Sequence, residues 1–253
     1  MFPVIDIHSH VLPGIDDGSP DLATSVAMCK AAAADGITDV VGTPHLSDQF
    51  EYDLERNLRL RDQVQAAAGP KPKLLTGCDF HLNEINLDLL AVDPHRYTIN
   101  QKNYLLVENN NYSLPPNLEQ MFFSLRCKGL IPVLTHPERN PMWQENPDLL
   151  RRVGNQGTVV QVTAGALSGR FGRTSQKFAL EWLHAGYVHV VASDAHNTRS
   201  RPLRLKEAYE LVVKETNADT ADILFIHNPR AIIDGGETIH PAPPIKKRRW
   251  FGF

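Results

Sequence analysis

The sequence predicts a single α/β barrel of about seven parallel strands. Two features carry that expectation. A unit of amphipathic helix, glycine and β-branched run recurs along the chain, and each run ends on polar, ionisable residues. Strands that alternate with helices imply parallel pairing through crossover helices. At 253 residues, closure into one barrel is the economical form, although the length would also suit two small domains.

The elements follow in order. A first strand is expected at Val4–Ile7, running up to His8 and His10. The first helix is expected over Leu22–Ala34, with Ser19 as N-cap and Pro20 at the first helical position. Gly36 stops it, and Ile37–Val41 leads to Thr43-Pro44-His45. Strands fit at Lys73–Gly77 and Tyr104–Val107, ending beside Asp79 and Glu108. The unit returns as Leu118–Lys128, Gly129 and Ile131–Leu134, up to His136. After a strand at Thr158–Val162 it returns again as Gln176–Ala185, Gly186 and Val188–Val191, up to Asp194 and His196. Two outer helices, Leu203–Thr216 and Ala218–Ile233, close the body. The expected division is a barrel over residues 1–240 and a basic, aromatic tail over 241–253, Lys246 to Phe253 being KKRRWFGF.

Composition narrows the function classes. A net charge of −3 gives no global basic field for nucleic acid. Cys29, Cys78 and Cys127 are too few and too scattered for a disulfide framework or a thiolate zinc site. The N-terminus lacks a basic region and a long apolar core, and no stretch approaches the about eighteen apolar residues of a membrane span. A cytoplasmic protein is the expectation, with membrane contact at most peripheral and through the tail.

The chemistry is expected where the strands end. His8, His10, Asp16, Asp17, His45, Asp79, His81, Glu108, His136, Asp194 and His196 all fall just after predicted strands. In a parallel barrel those ends share one face. Residues i and i+2 of a strand point the same way, so His8/His10 and Asp194/His196 can each offer two side chains to one cavity. Any one of these residues taken singly reads as a turn cap or loop punctuation; chance would also scatter histidines onto helices, as it does His95, His184, His189, His227 and His240. Imidazole with carboxylate suits Mn, Fe or Zn, and nine ligand candidates imply two or three ions. Such a cluster lowers the pKa of water and clamps the oxygens of a hydrolysis. Arg139 and Arg201 stand close to ligands in sequence and suit a phosphate monoester.

Other hydrolytic chemistries are absent from the sequence. A cysteine phosphatase needs arginine six positions after its cysteine, where this chain has Asp35, Glu84 and Val133. No GxSxG elbow and no GxxxxGK[ST] loop occurs.

With these residues in hand, the chain resembles the polymerase and histidinol phosphatase (PHP) superfamily. Within it, the chain is most similar to the bacterial manganese-dependent protein tyrosine phosphatases of capsule and exopolysaccharide systems, the CpsB/CapC type. The resemblance rests on Asp6-Ile7-His8-Ser9-His10 with Asp16-Asp17-Gly18, on His45, Glu108 and His136-Pro137-Glu138-Arg139, on Ala192 to Asn197 with Ser200-Arg201-Pro202, and on Asn228-Pro229-Arg230. It implies a distorted TIM-like (β/α)7 barrel of the PHP fold, a three-metal centre holding Mn, and hydrolysis of phosphotyrosine on a cognate kinase. Carried over, His8, His10, Asp79 and Asp194 would hold one ion, Asp79, Glu108 and His136 a second, and Asp17, His45 and His196 a third. Arg139 and Arg201 would bind phosphate. The family has glutamate where this chain has Asp79, so His81 is considered as a helper there. Two other functions stay open: a phosphatase of a small phosphomonoester such as histidinol phosphate, and a non-catalytic scaffold.

Overall fold

A computed structural model describes residues 3–243. Among the described residues nine strands form, all parallel to their neighbours: β1 (Val4–Ser9), β2 (Ile37–Gly42), β3 (His45–Leu46), β4 (Lys73–Thr76), β5 (Asp79–His81), β6 (Tyr104–Glu108), β7 (Ile131–Thr135), β8 (Val159–Thr163) and β9 (Val190–Ala192). They fall into two sheets, β1-β2-β4 and β3-β5-β6-β7-β8-β9. The seven expected strand positions are kept, because β2/β3 and β4/β5 are the lower and upper halves of the second and third. Pro44 has no N–H to donate and interrupts the second strand, and Gly77-Cys78 interrupts the third. Hydrogen bonds run through both breaks, from Gly77 N to Gly42 O at 2.9 Å and from Asp79 N to Pro44 O at 3.1 Å.

β9 meets β1 through a single bridge, Ser9 to Ala195. The seam is reinforced by Asp194 N donating to His8 O at 2.9 Å and His10 N donating to Ala195 O at 2.8 Å. Just below, the Asp6 carboxylate stands in for a ladder acceptor, taking the Ser193 N–H at 3.0 Å and the His8 N–H at 3.3 Å. Burial pushes that carboxyl up to about 6.

The apolar interior contains Ile5, Ile7, Val41, Leu75, Leu106, Val133, Val159 and Val190. β4 and β6 share no ladder at the bottom of the ring, and Ile99, Ile232 and Ile233 join the interior cluster there. A second, larger core lies between the strands and the outer helices, with Met28, Phe80, Phe122, Trp143 and Phe225 among its buried side chains. Both faces of the strands are therefore apolar, as parallel strands covered on both sides require.

Several local expectations are corrected. The first helix runs Leu22–Asp35 with Asp21 as N-cap, whose side chain accepts from Thr24 N at 2.8 Å. The Ser19 hydroxyl is instead engaged by Asp21 O and Ser25 Oγ. Gly36 ends the helix at φ 99°, a left-handed conformation that costs glycine little. A helix over Leu54–Ala68, capped by Asp53, adds to the units read from sequence. The helix expected over Ala218–Ile233 runs continuously to Asp234, but with a π segment, Ile223–His227, between the α segments Ala218–Asp222 and Asn228–Asp234. Pro229 accounts for the π segment, since its ring crowds the preceding turn and it has no N–H to donate. Pro241–Pro243, expected to begin the tail, pack on Gly186, where an added Cβ would come within 3.0 Å of Pro241 O and Pro243 N. The basic and aromatic residues from Lys246 onward lie outside the described residues. Among those described, no helix is long and apolar enough to cross a membrane.

Candidate metal centre

The upper half of the ring assembles the ionisable residues. Register sets His45 opposite Asp79, and His81 opposite Glu108. His8 and His10 rise from β1, while His136, Asp194 and His196 sit just beyond β7 and β9. His136 and Asp194 have left-handed backbone, φ 34° and 52°. Such strain in residues other than glycine persists where surrounding structure over-determines it.

All nine ligand candidates converge. His8 Nε2 lies 3.4 Å from Asp79 Oδ2 and 3.5 Å from Asp194 Oδ1. His10 Nε2 is 3.4 Å from Asp194 Oδ1. His45 Nδ1 is 3.2 Å from Asp79 Oδ2, and Glu108 Oε1 is 3.6 Å from His136 Nε2. Asp17 Oδ1 reaches His45 Nε2 at 3.4 Å and His196 Nε2 at 3.3 Å. Ligand atoms within 4.8 Å of one another define overlapping groups: His10/Asp17/His45/His196, His8/His136/Asp194, His8/His10/Asp79, Asp79/Glu108/His136 and His45/His81/Glu108. Asp79 thus stands between the His8 and Glu108 sides despite its shorter side chain. His81 touches Glu108 through Nε2.

The chemistry of the donors fits divalent cations. His8 Nε2, His10 Nε2, His45 Nδ1 and both oxygens of Asp79 are buried with no hydrogen-bond partner. Buried polar atoms in that number, all nitrogen and oxygen and all turned inward, are costly unless a cation shares them. The field agrees. Burial pulls the His8 imidazole down, but Asp79 and Asp194 outweigh it and hold it up at about 9. Burial likewise opposes Asp17 and Asp79 at His45, which ends at about 11. Burial would raise Asp79, yet His8 and His45 hold it well below the usual carboxylate range. His136 is driven well below the usual imidazole range by burial and then by the nearby Arg139.

Neighbours fix the orientation of the ligands. His10 Nδ1 pairs with Asp16 Oδ2 at 2.7 Å, His8 Nδ1 with Gln161 Oε1 at 2.8 Å, and His196 Nδ1 with the Asp194 carbonyl at 3.1 Å. Each bond commits one ring nitrogen and aims the other at the cluster, the usual device behind a metal-binding histidine. Asp16 also accepts the Gly18 N–H at 3.0 Å, so in Asp16-Asp17-Gly18 the first aspartate holds the turn and the second reaches the cluster. Gly18 is required there, because a Cβ would come within 2.3 Å of His10 Cβ. The sequence reading gave no role to Gln161, although a lone amide in Val159-Val160-Gln161-Val162 is a visible signal.

Arg139 and Arg201 reach the edge of the cluster, where both bond to Asp194 Oδ2. Arg139 rides the 3-10 turn Pro137–Arg139, held from the side by Glu138 Oε1, which accepts from Thr163 N at 2.9 Å and Thr163 Oγ1 at 2.7 Å. Burial pushes Glu138 up to about 7. Arg201 is returned to the site by Asn197, whose Oδ1 accepts from Arg199, Ser200 and Arg201 N–H groups. Beside the cluster a cleft of about 430 Å³ opens, lined by Asp17, His45, His81 and Glu108 together with Phe50 and Tyr112. No cysteine takes part: Cys29 and Cys78 are buried, burial pushing Cys29 up to about 12, and neither they nor Cys127 line the cleft.

Known proteins share this arrangement of sequence and fold. The chain is 34% identical over 257 residues to the tyrosine-protein phosphatase YwqE of Bacillus subtilis (strain 168), covering 99% of this chain and 100% of the relative. It is 27% identical over 239 residues to the tyrosine-protein phosphatase CpsB of Streptococcus pneumoniae, covering 91% and 98%. A crystal structure from work on YwqE of Bacillus subtilis and CpsB of Streptococcus pneumoniae, described as unique metal-dependent tyrosine phosphatases, matches with a TM-score of 0.87 at 33% identity, covering 96% of this chain and 100% of that one. The family described as capsular polysaccharide synthesis, CpsB/CapC, matches residues 4–234, a span that takes in the whole ring of strands and every ligand candidate. The chain therefore belongs to the CpsB/CapC family.

Proposed function

We propose that the protein is a metal-dependent protein tyrosine phosphatase, that His8, His10, Asp17, His45, Asp79, Glu108, His136, Asp194 and His196 hold its ions, and that Mn is the working metal. The observation that carries this reading is the convergence of imidazole and carboxylate groups, with partnerless buried atoms, beside two guanidiniums and an open cleft. The names of the relatives support the choice of phosphotyrosine as substrate. The family's description supports a place in capsular polysaccharide synthesis, and a cognate tyrosine kinase of capsule or exopolysaccharide synthesis is the partner we propose.

Divalent ions bound here would polarise the phosphoryl group and make water a competent nucleophile near neutral pH. The rest falls to the chain. Arg139 and Arg201 bind the non-bridging phosphate oxygens, each as a charge-assisted donor. The cleft receives the phosphotyrosyl side chain, and Phe50, stacked on His45 with ring centroids 5.8 Å apart, offers an apolar wall for its ring. Asp16 and Gln161 keep the imidazoles aimed.

The test combines metal and substrate. Chelation should abolish turnover of a phosphotyrosine peptide, and Mn should restore it better than Fe or Zn. Arg139→Ala and Arg201→Ala should each lower kcat/KM about ten- to a hundredfold at unchanged metal content. Faster turnover of histidinol phosphate would favour a small-molecule phosphatase. Activity that resists chelation but is lost in Cys127→Ser would overturn the metal reading.

A further inference from the structure

Phe171 lies outside the ligand set and outside the cleft, yet it touches both arginines. Arg139 Cζ sits 4.5 Å from the centre of the Phe171 ring, and Arg201 Cζ sits 5.9 Å from it. The ring is half-buried and seated on Gly165, where an added Cβ would come within 2.7 Å of Phe171 Cε2. The aromatic face therefore has one fixed height above the backbone. Gly165 lies two residues after Thr163, the residue that ties Glu138 and hence the Arg139 turn to the end of β8. Of the seven strand positions, with β2/β3 and β4/β5 each taken as one, β8 alone brings no ligand candidate, and its end carries this support instead.

The charge pattern explains why an aromatic ring is needed. Two guanidiniums converge on one oxygen, Asp194 Oδ2, and repel each other while doing so. Asp194 offsets part of that repulsion, but its other oxygen faces His8, His10 and His196. A ring face carries partial negative charge and attracts a guanidinium laid over it. It is also flat, so it fixes the plane of the guanidinium, which decides how a phosphate is gripped. A leucine of similar bulk would give neither.

We propose that Phe171 is a positioning residue: with Gly165 beneath it, its ring forms a shelf that holds Arg139 and Arg201 side by side at Asp194 and so sets where phosphate meets them. The proposal rests on the phosphate-binding role given to those arginines above. The experiment measures inhibition by inorganic phosphate, together with bound metal, in Phe171→Leu and Phe171→Tyr. Phe171→Leu is also placed in an Arg139→Ala/Arg201→Ala background. Phe171→Leu should weaken phosphate binding about three- to tenfold at unchanged metal content. Phe171→Tyr, which keeps the ring, should return it to within about twofold of the parent. Without the arginines, Phe171→Leu should change nothing further.

Three results would overturn the shelf: parental phosphate binding in Phe171→Leu, the same loss when the arginines are absent, or a fall in bound metal. If the arginine-less protein loses phosphate affinity while Phe171→Leu does not, the shelf fails and the arginine role stands. If the arginine-less protein binds phosphate as tightly as the parent, the arginine role fails and the shelf falls with it.

Discussion

The two sides of the metal centre are built differently. On the seam between β1 and β9, His8, His10, Asp194 and His196 are almost wholly buried. Their backbones are cross-linked by the bonds from Asp194 to His8 and from His10 to Ala195, and each imidazole has its second nitrogen committed. On the cleft side, ligands come from strands of two and three residues and from a turn, and side-chain exposure reaches 37% at His81 and 53% at Asp17. The contrast assigns two tasks. On the proposed reading, the seam would hold ions in fixed geometry, where desolvation makes each charge count for more, and the cleft side would stay open for substrate to enter and product to leave.

Asp79 joins the two sides, touching His8 on one and His45 on the other, so its removal gives the largest expected effect. Asp79→Ala should abolish activity and lower bound metal by at least one ion, whereas His81→Ala should weaken metal binding without abolishing it. Metal analysis of the purified variants, with turnover of a phosphotyrosine peptide, checks both. Full occupancy and full activity in Asp79→Ala would mean that the third strand supplies no ligand, and a greater loss in His81→Ala would invert the comparison.

Gln161 tests the seam alone. Gln161→Leu keeps the bulk but removes the acceptor for His8 Nδ1, freeing the ring to turn. Metal affinity should fall about ten- to a hundredfold in competition with a chelator. Parental affinity would show that packing alone holds His8.

The smallest effect lies at the far end of the barrel and serves as a control. His189 Nδ1 accepts the Val160 N–H at 3.1 Å, and its Nε2 meets His240 Nδ1 at 2.7 Å. Burial, with help from His240, lowers the His189 pKa to about 4 from an ordinary 6.5. The folded state thus favours the neutral ring. Its contribution is fully present above pH 6.5 and is lost as the pH falls toward 4, reaching about 3 kcal/mol at most. The difference in Tm between the parent and His189→Gln, followed across that range, should narrow as the pH falls. A constant difference would mean that His189 does not titrate with unfolding.

What could be read from the sequence follows from what is local. Gly36, Gly129 and Gly186 mark where helices stop because a left-handed residue is a property of one position. The ionisable residues after each β-branched run mark strand ends for the same reason. The breaks at Pro44 and Gly77 were legible only as residues, since whether a strand resumes depends on its neighbours: β3 and β5 exist because they pair with each other and with β6. Asp21 displaced Ser19 as a cap by a contest between residues two positions apart that propensity ranks almost equally. Phe171 gave no signal at all, because its meaning lies in two arginines brought to it from distant parts of the chain.

The bottom of the ring has a consequence for how the protein is made. Strands β4 and β6 leave a gap there, and Ile232 and Ile233 share the interior cluster with Ile5 and Ile7 from the first strand. Asn100 Nδ2 donates to Ile233 O at 2.9 Å, and Tyr104 Oη donates to Gly236 O at 2.7 Å. The hydrophobic interior is therefore stoppered by residues that lie more than two hundred positions after its first strand. While the chain is still being synthesised, its first strands must wait with part of their inner faces uncovered until that distant segment has been made.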